Sequence, residues 1–462
     1  MTDVRYTALV NKLRSGEIDR RTFMVRAAAL GVGMATAQIA IWDVAAQDAT
    51  PSDAGDSAAA AGLSPENLGV PGIEHITDTS KGTINLYSSW PMTGASEQIG
   101  GDSGAAIEYA LEIYGGVAGG FEIVYEALDD GIAANNGSWD AAKEAENATM
   151  VVNDPDAVAY IATYNSGAAE AAIPITNEAG LAQISPANTA TQLTKPSPQN
   201  PEGYPDVLYE TGVRNYMRVV PADDIQGAAG ANFAFNGLGA QSAFVLHDNQ
   251  TYGLGVAQVF HDTFEQLGGE ILGFEAFDPN APEYQALMTR IASTGPVVVY
   301  LGAIVNLNAS KLLQDMRLQM PADQVAFMGP DGLINQAFID GAGGAAEGAY
   351  ITFGGLVASA LEAEGGAGAE WVQGMRDRVG HEPDAYAAYS FDCAVHVLQA
   401  IDAVGEKDRA AILDHMFNIE GFRGLLGTYE FDENGDTTSG IISVSMVTDG
   451  QLVHQEVIGV PE

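Results

Sequence analysis

A chain of 462 residues is too long for one ordinary hydrophobic core, and 47% hydrophobic with 17% charged residues is a globular composition. Its 61 acids against 19 bases give a formal charge of −42, which repels nucleic acid and anionic lipid and excludes both as partners. The single cysteine, Cys393, excludes an intrachain disulfide.

In chain order the first signal is an address. Arg20-Arg21 in Asp19-Arg20-Arg21-Thr22-Phe23-Met24 precedes an uncharged stretch, 27–42, of signal-peptide length and too short for a bilayer span. Val44-Ala45-Ala46 then offers small residues to a peptidase, so residues 1–46 read as a twin-arginine (Tat) export signal. The expected location is extracytoplasmic, periplasmic or at the cell surface. No cysteine follows the apolar run, so the usual lipoprotein anchor is missing. The product is then either released or held by an uncut signal. Residues 47–81 are rich in Ala, Ser, Asp, Gly and Pro and read as a flexible linker. The acidic surface fits plain solubility or adaptation to high salt.

From Gly82 the pattern alternates. Strands are expected at 83–88, 121–128, 157–163, 181–184, 243–247, 270–275, 297–301 and from 325. Helical segments fall between them at 104–114, 139–153, 168–178 (interrupted by Pro174), 253–267, 284–293 and 309–320. Strands separated by helices imply an α/β fold with mostly parallel sheets covered on both faces. Such sheets bind ligands beyond the carboxyl ends of their strands.

The strand at 157–163 runs through Tyr164-Asn165 to Ser166 at the start of a helix, where a hydroxyl and free backbone amides can hold an anion. The next strand ends in Ser185-Pro186-Ala187-Asn188-Thr189, a turn with another hydroxyl and more donors. Each hydroxyl alone suits an ordinary cap; their pairing on adjacent strand ends suits a carboxylate. Asp331 in Gly329-Pro330-Asp331-Gly332 ends a further strand and could meet an ammonium, or serve as a turn residue. Tyr252 stands between a strand end and a helix, as a cover for a ligand or a cap on the sheet. Gly101-Asp102-Ser103-Gly104 echoes a protease nucleophile segment but sits in a helical pattern. Asp432-Glu433-Asn434-Gly435-Asp436 echoes a calcium loop without its twelfth-position glutamate and reads as a hairpin turn. No metal or nucleotide motif is present, so no metal and no cofactor is expected.

Together these segments resemble the leucine/isoleucine/valine-binding proteins of ABC transporters. The resemblance runs from Gly82 to the C-terminus through Pro91-Met92-Thr93-Gly94, Asp129-Asp130, Ile184-Ser185-Pro186, His247-Asp248, Tyr252-Gly253, Phe327-Met328-Gly329-Pro330 and Phe431-Asp432. It implies a type I periplasmic binding protein: two Rossmann-like lobes joined by a three-crossing hinge, closing like a flytrap. Lobe one would comprise 82–222 with 354–430, and lobe two 223–353 with 431–462. It further implies that Ser166, Ala187 and Thr189 hold a ligand carboxylate, that Asp331 pairs with an α-ammonium, and that Tyr252 covers the cleft. Trp90 and Tyr164 join the expected ligand set, and either Tyr386 or Tyr389 could line the cleft. Ile99 and Ile304 stand where the family has aromatic cleft residues. The implied function is a non-enzymatic binding protein for a branched-chain or other neutral amino acid, partnered with ABC permease subunits. The alternatives are amides, urea or small carboxylates as ligands, or a ligand-sensing module on the same fold.

Overall fold

The computed structural model describes residue 12, residues 62–198 and residues 200–458. The export signal expected at 1–46 therefore lies outside the described residues. From 62 onward the chain is a single compact unit. Among the described residues no helix is long and apolar enough to cross a membrane.

The first sheet contains β1 (Thr83–Trp90), β2 (Val117–Ala118), β3 (Phe121–Asp129), β4 (Ala157–Ala162), β5 (Ala182–Ser185) and β6 (Tyr216–Arg218), in the order β2-β3-β1-β4-β5-β6. All pairings are parallel except that of β2 with β3. The sequence Ala-Val-Ala-Tyr-Ile-Ala of β4 is buried at every position, as a central strand covered on both faces requires. The second sheet contains β7 (Ser242–His247), β8 (Glu270–Ala276), β9 (Val298–Gly302), β10 (Ala326–Gly329) and β11 (Ala349–Gly354), all parallel, with antiparallel strands at 442–448 and 451–458 on one edge. The chain passes between the two halves after β6, after β11 and again before residue 442.

Helices α1 (Glu97–Ile113), α2 (Ala141–Asn153), α3 (Ser166–Glu178), α4 (Asp223–Asn232) and α5 (Thr251–Gln266) follow strands or crossings. Helix α4 has no counterpart in the sequence pattern, and two others depart from it. Helix α1 begins seven residues before the expected 104, because Gly100 packs rather than breaks: a Cβ there would meet the Pro91 carbonyl at 2.6 Å. Helix α3 runs through Pro174, which has no amide to give the Glu170 carbonyl, yet the helix continues to Glu178.

The linker expected to reach residue 81 is fastened down from 62 onward. Leu68 is buried, Gly69 pairs with Arg423, and the Gln399 side chain accepts from the Val70 amide and donates to its carbonyl. His75 lies 2.9 Å from Asp402. Composition hid this because each anchor comes from a partner some 320 to 350 residues away. Cys393 is fully buried and its thiol is pushed up by burial, as an inert core cysteine should be.

Candidate functional site

The carboxyl ends of both sheets face a shared cavity lined by Tyr164, Asn165, Ser166, Ala187, Tyr252, Ile304, Asp331, Gly332 and Tyr386. Its empty space, counting the open mouth, is about 230 Å³. Asp331 is the only acid in this lining, and no basic side chain joins it. Three neutral donors serve its carboxylate: Tyr252 Oη at 2.6 Å and Gln226 Nε2 at 2.5 Å on Oδ1, and the Tyr386 hydroxyl on Oδ2. The Gln226 Oε1 accepts in return from the Asp331 amide at 3.2 Å. Burial pushes the Asp331 carboxyl up to about 6, against the lowering effect of the two tyrosine hydroxyls. The Tyr164, Tyr252 and Tyr386 hydroxyls are themselves held well above their ordinary range, chiefly by burial, so they act as neutral donors. Tyr164 meets Tyr386 edge to face at 5.3 Å.

Opposite Asp331 stands the start of α3. The Ala168 amide of its first turn already donates to the Asn165 carbonyl at 3.0 Å, which leaves the amides of Ser166 and Gly167, and Ser166 Oγ, which accepts from the Ala190 amide at 3.3 Å, keeps its own proton to give. The turn 185–190 beside it is cross-braced: Ser185 Oγ donates to the Thr163 carbonyl at 2.8 Å and accepts from the Ala187 and Asn188 amides. Arg218, fully buried, donates from Nη1 to the carbonyls of Asn188 and Ala190 and from Nε to Asp436 at 2.6 Å. The hydroxyl-bearing turn is thus pinned to β6 and to the loop at 432–436.

This arrangement is matched along most of the chain. A model of the family described as periplasmic binding protein matches residues 84–451. The chain belongs to the periplasmic binding protein family. Leu/Ile/Val-binding protein homolog 1 of Brucella abortus is 29% identical over 279 residues, 60% of this chain and 68% of its own length. The leucine-, isoleucine-, valine-, threonine- and alanine-binding protein of Pseudomonas aeruginosa is 24% identical over 77% of this chain and 87% of its own. A crystal structure of a leucine-binding protein from Thermotoga maritima superposes with a TM-score of 0.70 at 25% identity, covering 82% of this chain and 99% of that one. A solute-binding protein of an ABC transporter from Rhodopseudomonas palustris, in complex with benzoate, gives 0.67 at 20% identity over 81% and 96%, a likeness of fold alone. The chain is therefore a periplasmic binding protein of the type I fold, in a family of transport components rather than enzymes.

In this binding protein Ser166, Ala187, Tyr164, Tyr252 and Asp331 meet around one cavity. Thr189 is buried outside the lining, its hydroxyl beside the Asp223 carboxylate. The Ala187 amide is already given to Ser185 Oγ at 3.1 Å. Trp90 does not reach the lining; it is sunk in the core, where it affects the neighbouring Tyr125 hydroxyl. Ile304 lines the cavity and Ile99 does not. Of the two tyrosines left open, Tyr386 faces the cavity, and Tyr389 instead donates to the Gly354 carbonyl. The residues that sequence reasoning missed are Gln226, Arg218, Asn165 and Asp223. Asp223, at the start of α4, is fully buried beside the Thr189 hydroxyl, which works to lower its carboxyl. Burial, and then the charge of Asp331, push its carboxyl far up. Only the polar run Asp223-Asp224-Ile225-Gln226 at a crossing between lobes hinted at them.

Proposed function

We propose that this solute-binding protein takes a neutral α-amino acid, branched-chain or of similar size, and presents it to ABC permease subunits. The observation that carries this reading is Asp331: one acid on a cavity wall, served by neutral donors, with no basic side chain beside it. An α-ammonium supplies the missing positive charge, and a charge-assisted hydrogen bond there contributes roughly 1.5–3 kcal/mol. The ligand carboxylate meets the Ser166 hydroxyl and the Ser166 and Gly167 amides at the start of α3, where the helix dipole favours an anion. Tyr164, Tyr252, Ile304 and Tyr386 then surround the ligand's middle. Lobes 82–222 with 354–430 and 223–353 with 431–462 close over it, and residues 1–46 direct export by the Tat route. Affinity in the micromolar class, roughly −8 kcal/mol, is expected.

A ligand carrying a carboxylate alone, such as benzoate, would set like charge near Asp331 unless that acid kept its proton. A thermal-shift screen of L-amino acids, simple amides, urea, benzoate and hydroxybenzoates at pH 7.5 tests the reading. Stabilisation by L-amino acids is expected; stabilisation confined to compounds without an amino group would overturn it.

A further inference from the structure

Away from the cavity, two side chains of the first half meet the start of α5, the helix that carries Tyr252. Glu170, on α3, accepts from Thr251 Oγ1 at 3.0 Å on Oε2 and from the Gln192 side chain on Oε1. Trp139 donates from Nε1 to Gln250 Oε1 at 3.3 Å. The Trp139 ring lies flush on the start of α3 because residue 167 is glycine: a Cβ there would meet the ring at 2.5 Å. Gln250 is the N-cap position of α5, yet its side chain makes no cap hydrogen bond. An acid near a helix N-terminus is favoured by the helix dipole, and here the acid comes from the opposite half of the molecule. Residues 250 and 251 lead directly into Tyr252, whose hydroxyl donates to Asp331 at 2.6 Å.

We infer that Glu170 and Trp139 are positioning residues that form a closure latch: by gripping Gln250 and Thr251 across the cleft, they seat Tyr252 on Asp331 as the two halves meet. The latch is made from bonds between halves that an opened molecule must break, and neither Glu170 nor Trp139 lines the cavity. It therefore sets how long the closed form lasts and leaves the choice of ligand to the cavity. This rests on the chain being a closing solute-binding protein, not on which ligand it takes.

The test compares Thr251→Val, Thr251→Ser and Glu170→Ala with the unaltered protein by stopped-flow binding of L-leucine, or of the strongest stabiliser from the screen should L-leucine not bind. Thr251→Val and Glu170→Ala should each weaken binding roughly tenfold through faster dissociation, with association hardly changed. The double variant should be little weaker than either single one, because both changes remove the same bond. Thr251→Ser, which keeps the hydroxyl, should restore unaltered dissociation. The ranking of ligands and the ligand-free melting temperature should stay as they were. Unchanged dissociation in Thr251→Val and Glu170→Ala overturns the latch. So does a fall in ligand-free melting temperature that accounts for the loss, since that marks a merely structural role. Asp331→Asn, run in parallel, separates the two readings. Lost affinity there with intact latch variants sinks the latch alone, and the reverse pattern sinks the ammonium reading alone.

Discussion

Two buried acids, Asp331 and Asp436, sit in the same molecule under opposite regimes. Asp436 meets Arg218 Nε at 2.6 Å and Lys195 Nζ at 3.1 Å, and chiefly the Arg218 charge holds its carboxyl below the ordinary range despite burial. Asp331 meets only hydroxyls and an amide, and burial lifts it to about 6. The chain itself supplies the countercharge of the first, which makes that acid a brace for the 185–190 turn. The second has neutral dipoles around it, which suits it to a cation that arrives from outside. Burial is common to both acids; the source of the countercharge is what separates them.

The largest effect should come from breaking the brace. Arg218→Met leaves Asp436 buried with the mostly covered Lys195 as its remaining cation, and urea unfolding should show a loss of about 3–5 kcal/mol. A loss below 1 kcal/mol would mean the pair is not the pin described here. Next, Asp331→Asn should weaken L-amino-acid binding by roughly ten- to a hundredfold in calorimetry while leaving folding stability equal or higher. Unchanged affinity would refute the ammonium pairing.

Acidity should separate the two acids cleanly. Because the folded-state value of Asp331 lies above its ordinary 3.8, its contribution to stability is full below that value and is lost as pH rises through about 6. Asp436 is depressed, so its contribution is present above its ordinary value and is lost only in stronger acid. Asp384 and Asp392, both pushed up to about 7 by burial, add to the first trend. The ligand-free melting temperature should therefore rise on acidification from pH 8 to pH 5. Affinity for an amino acid should fall below pH 6, because the ammonium needs the ionised Asp331. Parallel movement of the two would contradict this assignment. The smallest effect is expected of Tyr386→Phe, which removes one of three donors to Asp331 and should cost a few-fold in affinity by titration.

Much of the fold was legible because its signals are local. The alternation of apolar strands and helical segments placed most of the parallel strands to within a residue or two, and strand ends pointed to Ser166, Ala187, Tyr252 and Asp331, which the fold gathers at one cavity. Trp90 misled because a strand-end aromatic can turn either toward a cleft or into the core, and only packing decides which. The choice between Tyr386 and Tyr389 needed the helical phase of 387–404 relative to both sheets. Gln226 was out of reach because its partner, Asp331, is 105 residues away.

By itself, then, the amino-acid sequence determined the α/β alternation, the acidic composition, the paired arginines before an apolar run, and the hydroxyls and acid at strand ends. Each depends on neighbours within a few residues, where backbone geometry and side-chain period leave few options. Tertiary structure alone decided that Asp331 is served by donors from three distant segments, that Arg218 locks the cradle to Asp436, and that Glu170 reaches α5 across the cleft. Those contacts join residues that chain crossings bring together, and no local pattern encodes which of many buried polar groups will find each other.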